Sequence, residues 1–160
     1  WLRDLCHLGL GLRGDHESME GMRQVLRSRG EAPVSRAFAG LALVQLGDPK
    51  GMAEVEKAVA DLEETDIAGS ILIGLGASKN AAHLPLLMEA AQRRGGSAVR
   101  LRRVRADALA ALGKLGDPSS VAYLGGLLDD REKVIARSAA LALAVLRESG
   151  RASRRHRECN

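Results

Sequence analysis

Aromatic side chains are almost absent from this chain: Trp1, Phe38 and Tyr123 are the only three in 160 residues. Walls of stacked rings for flat ligands or unpaired bases are therefore excluded. Cysteines are two, Cys6 and Cys159, near opposite ends. That spacing disfavours an internal disulfide in an elongated fold and agrees with a reducing, cytoplasmic setting. No apolar run approaches the ~18 residues of a membrane span, and no secretory signal is visible. The chain opens at Trp1, which leaves open that it is excised from something longer. Apolar residues still make up 46 %. A core of Leu, Ala, Val, Ile and Met is thus expected, built from closely packed helices rather than around a large pocket.

The net charge of +4 is unevenly spread. Residues 93–105 hold six arginines and no acid, and residues 147–160 hold five arginines against Glu148 and Glu158. The remainder is acidic. Arginine outnumbers lysine 19 to 5, the bias of a GC-rich, bacterial coding source.

A phrase recurs. Leu46-Gly47-Asp48-Pro49 and Leu115-Gly116-Asp117-Pro118 each close an Ala/Leu-rich run, with worn versions at Arg13-Gly14-Asp15 and Leu75-Gly76-Ala77-Ser78. Self-similarity at about this period marks a solenoid of helix pairs. The chemistry of the phrase is that of a helix–helix turn. Gly47 and Gly116 can take the left-handed conformation that ends a helix. Asp48 and Asp117 precede proline, are pushed to extended angles and cap the next helix. Pro49 and Pro118 fit the first helical position, where a missing N–H costs nothing. Near residue 77 the capping role passes to Ser78 or Asn80. The pattern predicts helices over 2–12, 17–29, 34–46, 50–63, 66–76, 81–93, 99–115, 119–129 and 132–147. Gly95-Gly96 punctuates a loop insertion, with 94–98 the most mobile internal connection.

The first helices of the pairs are rich in small residues, as at Ala37, Ala39, Gly40 and Ala42, or Ala106, Ala108, Ala110 and Ala111. The second helices space apolar residues for one buried face, as at Met52, Val55, Val59 and Leu62. The run Val104-Arg105-Ala106-Asp107-Ala108-Leu109-Ala110-Ala111-Leu112-Gly113-Lys114-Leu115-Gly116-Asp117-Pro118 resembles the HEAT-like repeat of the phycobilisome-lyase type, and Ser35–Val59 is a looser version. The resemblance implies stacked antiparallel helix pairs and no single activity, because lyases, glycosylases, hydroxylases and adaptors share such repeats. The expected fold is all-α, a right-handed α-solenoid of four to five pairs. Residues 1–147 form one repeat domain, open to being part of a longer array, and 148–160 form a basic tail without order.

Catalytic chemistry is not found. Iron-dependent hydroxylases on HEAT-like repeats use several His-Glu pairs, and this chain has one, His16-Glu17, placed at a helix start. His7, His83 and His156 lack ligand spacing. Gly9-Leu10-Gly11 has no strand before it, and Ser70, Ser119 and Ser138 lack a nucleophile elbow. Met19, Met22 and Met52 read as core filler. No catalytic residue, metal or cofactor is expected. Another protein is the expected partner, since helical arrays offer long surfaces.

The alternative is nucleic acid on the candidate anion patch Arg93, Arg94, Arg100, Arg102, Arg103 and Arg105, with those at 100, 102, 103 and 105 mainly exposed. A bilin-lyase-like subunit is the second alternative. Finally, 132–147 is apolar on nearly every side and lacks a following partner helix, so self-association through this C-terminal helix, or further repeats, is expected to cover it.

Overall fold

The computed structural model describes residues 9–10, 13–61, 65–94 and 98–158, with side chains to 149. The helix expected over 2–12 and the Gly95-Gly96 loop lie almost wholly outside the described residues. The described residues are all-α. Eight helices are present among them: α1 (Met19–Arg27), α2 (Pro33–Leu46), α3 (Pro49–Ala60), α4 (Thr65–Ala77), α5 (Leu84–Gln92), α6 (Ala98–Leu115), α7 (Val121–Gly126) and α8 (Lys133–Glu158). Single 3-10 turns, Ala81–His83 and Pro118–Ser120, lead into α5 and α7. The chain divides into two compact units, Trp1–Gly74 and Leu75–Asn160, and α4 carries the boundary.

One local device repeats four times. A residue at positive φ ends each run, and the next residue, an Asp or Asn, turns its side chain onto the backbone N–H two positions on. Gly14 (φ 73°) precedes Asp15, which accepts from Glu17 N at 3.2 Å. Gly47 (φ 64°) precedes Asp48, which accepts from Lys50 N and Gly51 N at 3.3 and 2.9 Å. Lys79 (φ 58°) precedes Asn80, which accepts from Ala82 N at 3.0 Å. Gly116 (φ 79°) precedes Asp117, which accepts from Ser119 N at 2.9 Å. Gly47 ends α2 in a doubly bonded turn, its N–H reaching the Val44 carbonyl and the Asp48 N–H the Leu43 carbonyl. Asp48 therefore closes one helix and opens the next.

The third turn corrects the sequence reading. The left-handed residue there is Lys79, not Gly76, and α4 runs on to Ala77. Gly76 instead serves a close helix approach: a Cβ on it would stand 2.3 Å from the Ala111 carbonyl oxygen of α6. With Lys79 as the marker, the turns fall at 14, 47, 79 and 116, a more even spacing than the glycines alone suggest.

Each unit has its own core. In the first, Met22 and Leu26 of α1, Leu43 of α2, Val55 and Val59 of α3, and Ile67 and Ile71 of α4 are buried. In the second, Leu87 of α5, Leu109 and Leu112 of α6, Leu124 of α7 and Ile135 of α8 are buried. Each large apolar side chain withdrawn from water contributes roughly 1.5–3 kcal/mol. The small-residue helices pack as expected. A Cβ on Gly113 would lie 2.6 Å from Ala142 Cα, so α6 and α8 approach backbone to backbone. Similarly, the Gly40 face of α2 is filled by Ile71 of α4.

The last helix differs from expectation in two ways. It continues beyond 147 to Glu158, since no proline follows and Arg, Ala and Glu sustain helix. It also buries one side only: Ile135, Ala139 and Ala142 are covered, whereas Leu141 is 68 % exposed.

Candidate interaction surfaces

The first unit carries a charged cleft of about 190 Å³ between α1, α2 and α3. The second helices α1 and α3 supply most of its wall. Arg29 pairs with Asp61 at 2.8 Å, and Glu54 receives both Arg27 at 3.4 Å and Lys57 at 3.3 Å. At its base Arg36, only 5 % exposed, donates Nε–H to the Leu26 carbonyl at 2.8 Å. That carbonyl is in the last turn of α1, where a cation meets the negative end of the helix dipole. Beside the cleft, buried Arg23 joins Asp48 to Glu20, the latter at 2.7 Å. Hydrogen bonding from Arg23 holds the Glu20 carboxyl below its ordinary value. Sequence reading missed this cleft, because its ion pairs join residues up to 32 positions apart.

The second unit holds the arginines singled out from sequence, and most of them are engaged. Arg93 faces Glu89 at 3.7 Å. Arg102 and Arg105 both face Glu132, at 3.4 and 3.9 Å. Arg105 also donates Nε–H to the Ala91 carbonyl at 3.0 Å, in the last turn of α5. Arg94 and Arg103 are exposed and Arg102 keeps 42 % of its side chain in solvent, whereas Arg93, Arg100 and Arg105 are half-buried. The expectation that these arginines stand mainly in water is corrected for Arg100 and Arg105, which are half-buried: the first helix of a pair lies against the preceding second helix, and Arg105 is drawn into that seam by its bond to Ala91. Tyr123 of α7 is near this group. Burial raises its phenol above the ordinary value, with Arg105 and Arg94 opposing.

The structural turn residues sit where the sequence placed them. Asp48 and Asp117 are helix caps, with Gly47 and Gly116 left-handed and Pro49 and Pro118 opening the next element. Asp117 is held below its ordinary value by hydrogen bonds from the Ser119 hydroxyl and N–H. His16, His83 and the described acids form no group of three metal-ligating side chains among the described residues. Cys6, His7 and Cys159 lie outside those residues. No helix among them is long and apolar enough to cross a membrane.

These features define a helical-repeat protein: short capped helices in pairs, small-residue contacts between successive first helices, and ion-paired surfaces on the second. The sequence matches the family model of HEAT repeats over residues 63–144, about half of the chain. The chain belongs to the HEAT-repeat family. No curated protein matches it. Among solved structures it is similar to human deoxyhypusine hydroxylase in complex with glycerol, at 17 % identity and a TM-score of 0.45, covering 92 % of this chain and 80 % of that one.

Proposed function

We propose that the chain is a non-catalytic scaffold or adaptor that binds another protein in the cytoplasm. The cleft of the first unit carries the reading. It is open and shallow, lined by Arg27, Arg29 and Lys57 against Glu54 and Asp61, with Arg29 and Lys57 largely in solvent. Such a surface suits an extended or helical polar segment better than a small molecule, whose sites are enclosed and mostly apolar. The excess of cations favours an acidic segment. The arginines of 93–105 supply less support for nucleic acid, because the Arg93 and Arg105 side chains are only 16 % exposed, whereas Arg29 and Lys57 of the cleft are 74 % exposed.

The test compares partners retained by the wild-type chain with those retained by R29E/K57E, quantified by mass spectrometry. Both side chains are exposed, so the fold is expected to survive, with circular dichroism as the check. A specific protein lost from the double variant supports the reading. Identical recoveries from both would remove it.

A further inference from the structure

One face of the first helices is covered in three of them and bare in the fourth. Gly40 and Val44 of α2, Leu72 and Gly76 of α4, and Leu109 and Gly113 of α6 hold equivalent places. Each pair stands seven and three residues before a left-handed residue, at 47, 79 and 116, and all six are buried. A step of 31 residues carries Val104, Ala108 and Ala111 of α6 onto Ile135, Ala139 and Ala142 of α8, which are also buried. The same step puts Ala140 and Ala144 in the two places, and both are exposed. Leu141 beside them is 68 % exposed, whereas its equivalents Leu41, Ile73 and Ala110 are half-buried.

The cover is the same object each time: the next first helix, in one register. A Cβ added to Gly40 would run into Ile71 of α4, one added to Gly76 into Ala111 of α6, and one added to Gly113 into Ala142 of α8. The place seven before the left-handed residue thus receives the place eight before in the next helix, and the place three before receives the place five before. Moving four residues along one helix moves three along the next, so the two run parallel. At the place that arrives on the second seat stand Ala42, Gly74, Ala111 and Ala142, none larger than alanine. The two backbones meet there and leave no room for more.

The occupant of the seat on α8 is not among the described residues. Ala42, Ile71, Ala111 and Ala142 are buried already, so no described first helix of a second copy has such a face to give. Nor does α8 fold back to supply it: it carries Arg147-Glu148-Ser149 where α6 is followed by Gly116-Asp117-Pro118, and it stays helical to Glu158. One place on α8 departs from the pattern. Arg137 stands where α6 has Ala106, at an edge that is only half-buried in α6, so the guanidinium can reach water past a stacked helix.

We propose that the outer face of α8 is a stacking seat for the first helix of a further repeat of this same kind. That helix runs parallel to α8, rests an Ala or Gly on Ala144, and places an apolar residue three positions earlier on Ala140. The seat continues the interface that α6 makes with α8, lies in the second unit only, and is independent of the cleft proposed for another protein.

A chain in which residues 116–146 are repeated once after Leu146 supplies this helix in register, because the step from α6 to α8 is 31 residues. Its urea midpoint is expected to lie above that of the 160-residue chain by about 0.5 M or more, from burial of Leu141 and Ala144. A144E locates the contact. In the 160-residue chain the position is exposed, and the midpoint shifts little. In the extended chain, made at the first of the two copies, A144E removes most of the gain. A midpoint no higher than that of the 160-residue chain overturns the proposal. So does an A144E effect equally small in both proteins, which would put the added helix on another face. Sedimentation equilibrium of the 160-residue chain gives a further check: self-association abolished by A144E would make a second copy the occupant and overturn the proposal too.

Discussion

Arg105 donates its Nε–H to the carbonyl of Ala91, 3.0 Å away, at the end of the helix before its own. Arg36 does the same to Leu26, at 2.8 Å. Both arginines stand eleven residues before a left-handed glycine, Gly116 and Gly47. The repeat thus carries a second device at a fixed position besides its turn: in these two first helices an arginine closes the C-terminal end of the preceding second helix. Lys79 plays a related part from the third turn, its ammonium donating to the Lys114 carbonyl at the end of α6.

Removing these arginines should therefore destabilise the fold through helix ends, not through lost surface charge. R36A is expected to cost about 2–4 kcal/mol, since it strands a buried carbonyl and deletes a packed stem. R105A, at a more open site, is expected to cost about 1–2 kcal/mol. R36M keeps most of the stem and loses the guanidinium with its charge and its hydrogen bonds. Urea unfolding of the three variants gives the comparison, and an R36M midpoint equal to wild type would show that the guanidinium contributes nothing to stability.

Two glycines make opposite predictions. Gly113 has no room for a side chain, because a Cβ would meet the Ala142 backbone at 2.6 and 2.7 Å. G113A is expected to destabilise by about 1–3 kcal/mol as α6 and α8 are forced apart. Gly21 lies within α1 and has nothing within 4 Å of the same position. G21A is expected to stabilise by about 0.5–1 kcal/mol, because alanine loses less backbone freedom on entering a helix. Thermal melts of both variants decide it, and a stabilised G113A would mean that the two helices are not in close contact.

The fold was largely readable because its grammar is local. Gly-Asp-Pro specifies a helix stop, a cap and a start within three residues, so the ends of α2 and α6 and the start of α3 could be placed from sequence, whereas α3 stops at Ala60, short of the expected 63. The turn at Lys79 was displaced because a glycine, Gly76, was present for packing against Ala111 and imitated a helix terminator. The arginines were harder. Arg102 and Arg105 read as a basic patch because sequence shows the run of like charge but not Glu132, which faces them from before α8. The equal spacing of Arg36 and Arg105 before Gly47 and Gly116 was the available signal. The cleft of the first unit left no such trace, since Arg29 and Asp61 share no motif and meet only through packing.

His83 provides a pH response. Its imidazole is buried at the start of α5, and desolvation lowers its pKa from the ordinary 6.5. Below 6.5 the unfolded chain takes a proton that the folded chain refuses. The stability contributed by keeping His83 neutral is therefore complete above about 6.5 and is lost as pH falls from there toward the lower folded value. Wild type should lose stability between pH 7.5 and 5 to a greater extent than H83M, where this slope is absent. Parallel slopes for the two proteins in thermal melts would show that His83 is not the group responsible.

Asp117 is the sharper test of the repeat's chemistry, because two substitutions separate shape from charge. Its Oδ1 accepts from Ser119 N at 2.9 Å and from the Ser119 hydroxyl at 2.6 Å, opening the turn into α7. D117A removes both bonds and is expected to cost about 1 kcal/mol at pH 7. D117N keeps an acceptor oxygen in the same place and is expected to lie within a few tenths of wild type. The pH dependence then distinguishes them. The hydrogen bonds lower the Asp117 pKa from its ordinary 3.8, so the ionised cap stabilises fully above that value and fades as pH falls through the lower folded one. Asn has no proton to gain. Wild type should therefore lose ground to D117N as the pH is taken from 7 to 3, while D117A stays below D117N throughout. Urea midpoints of the three proteins at both pH values measure this. An alanine variant as stable as wild type at pH 7 would remove Asp117 from the capping role on which the repeat reading depends.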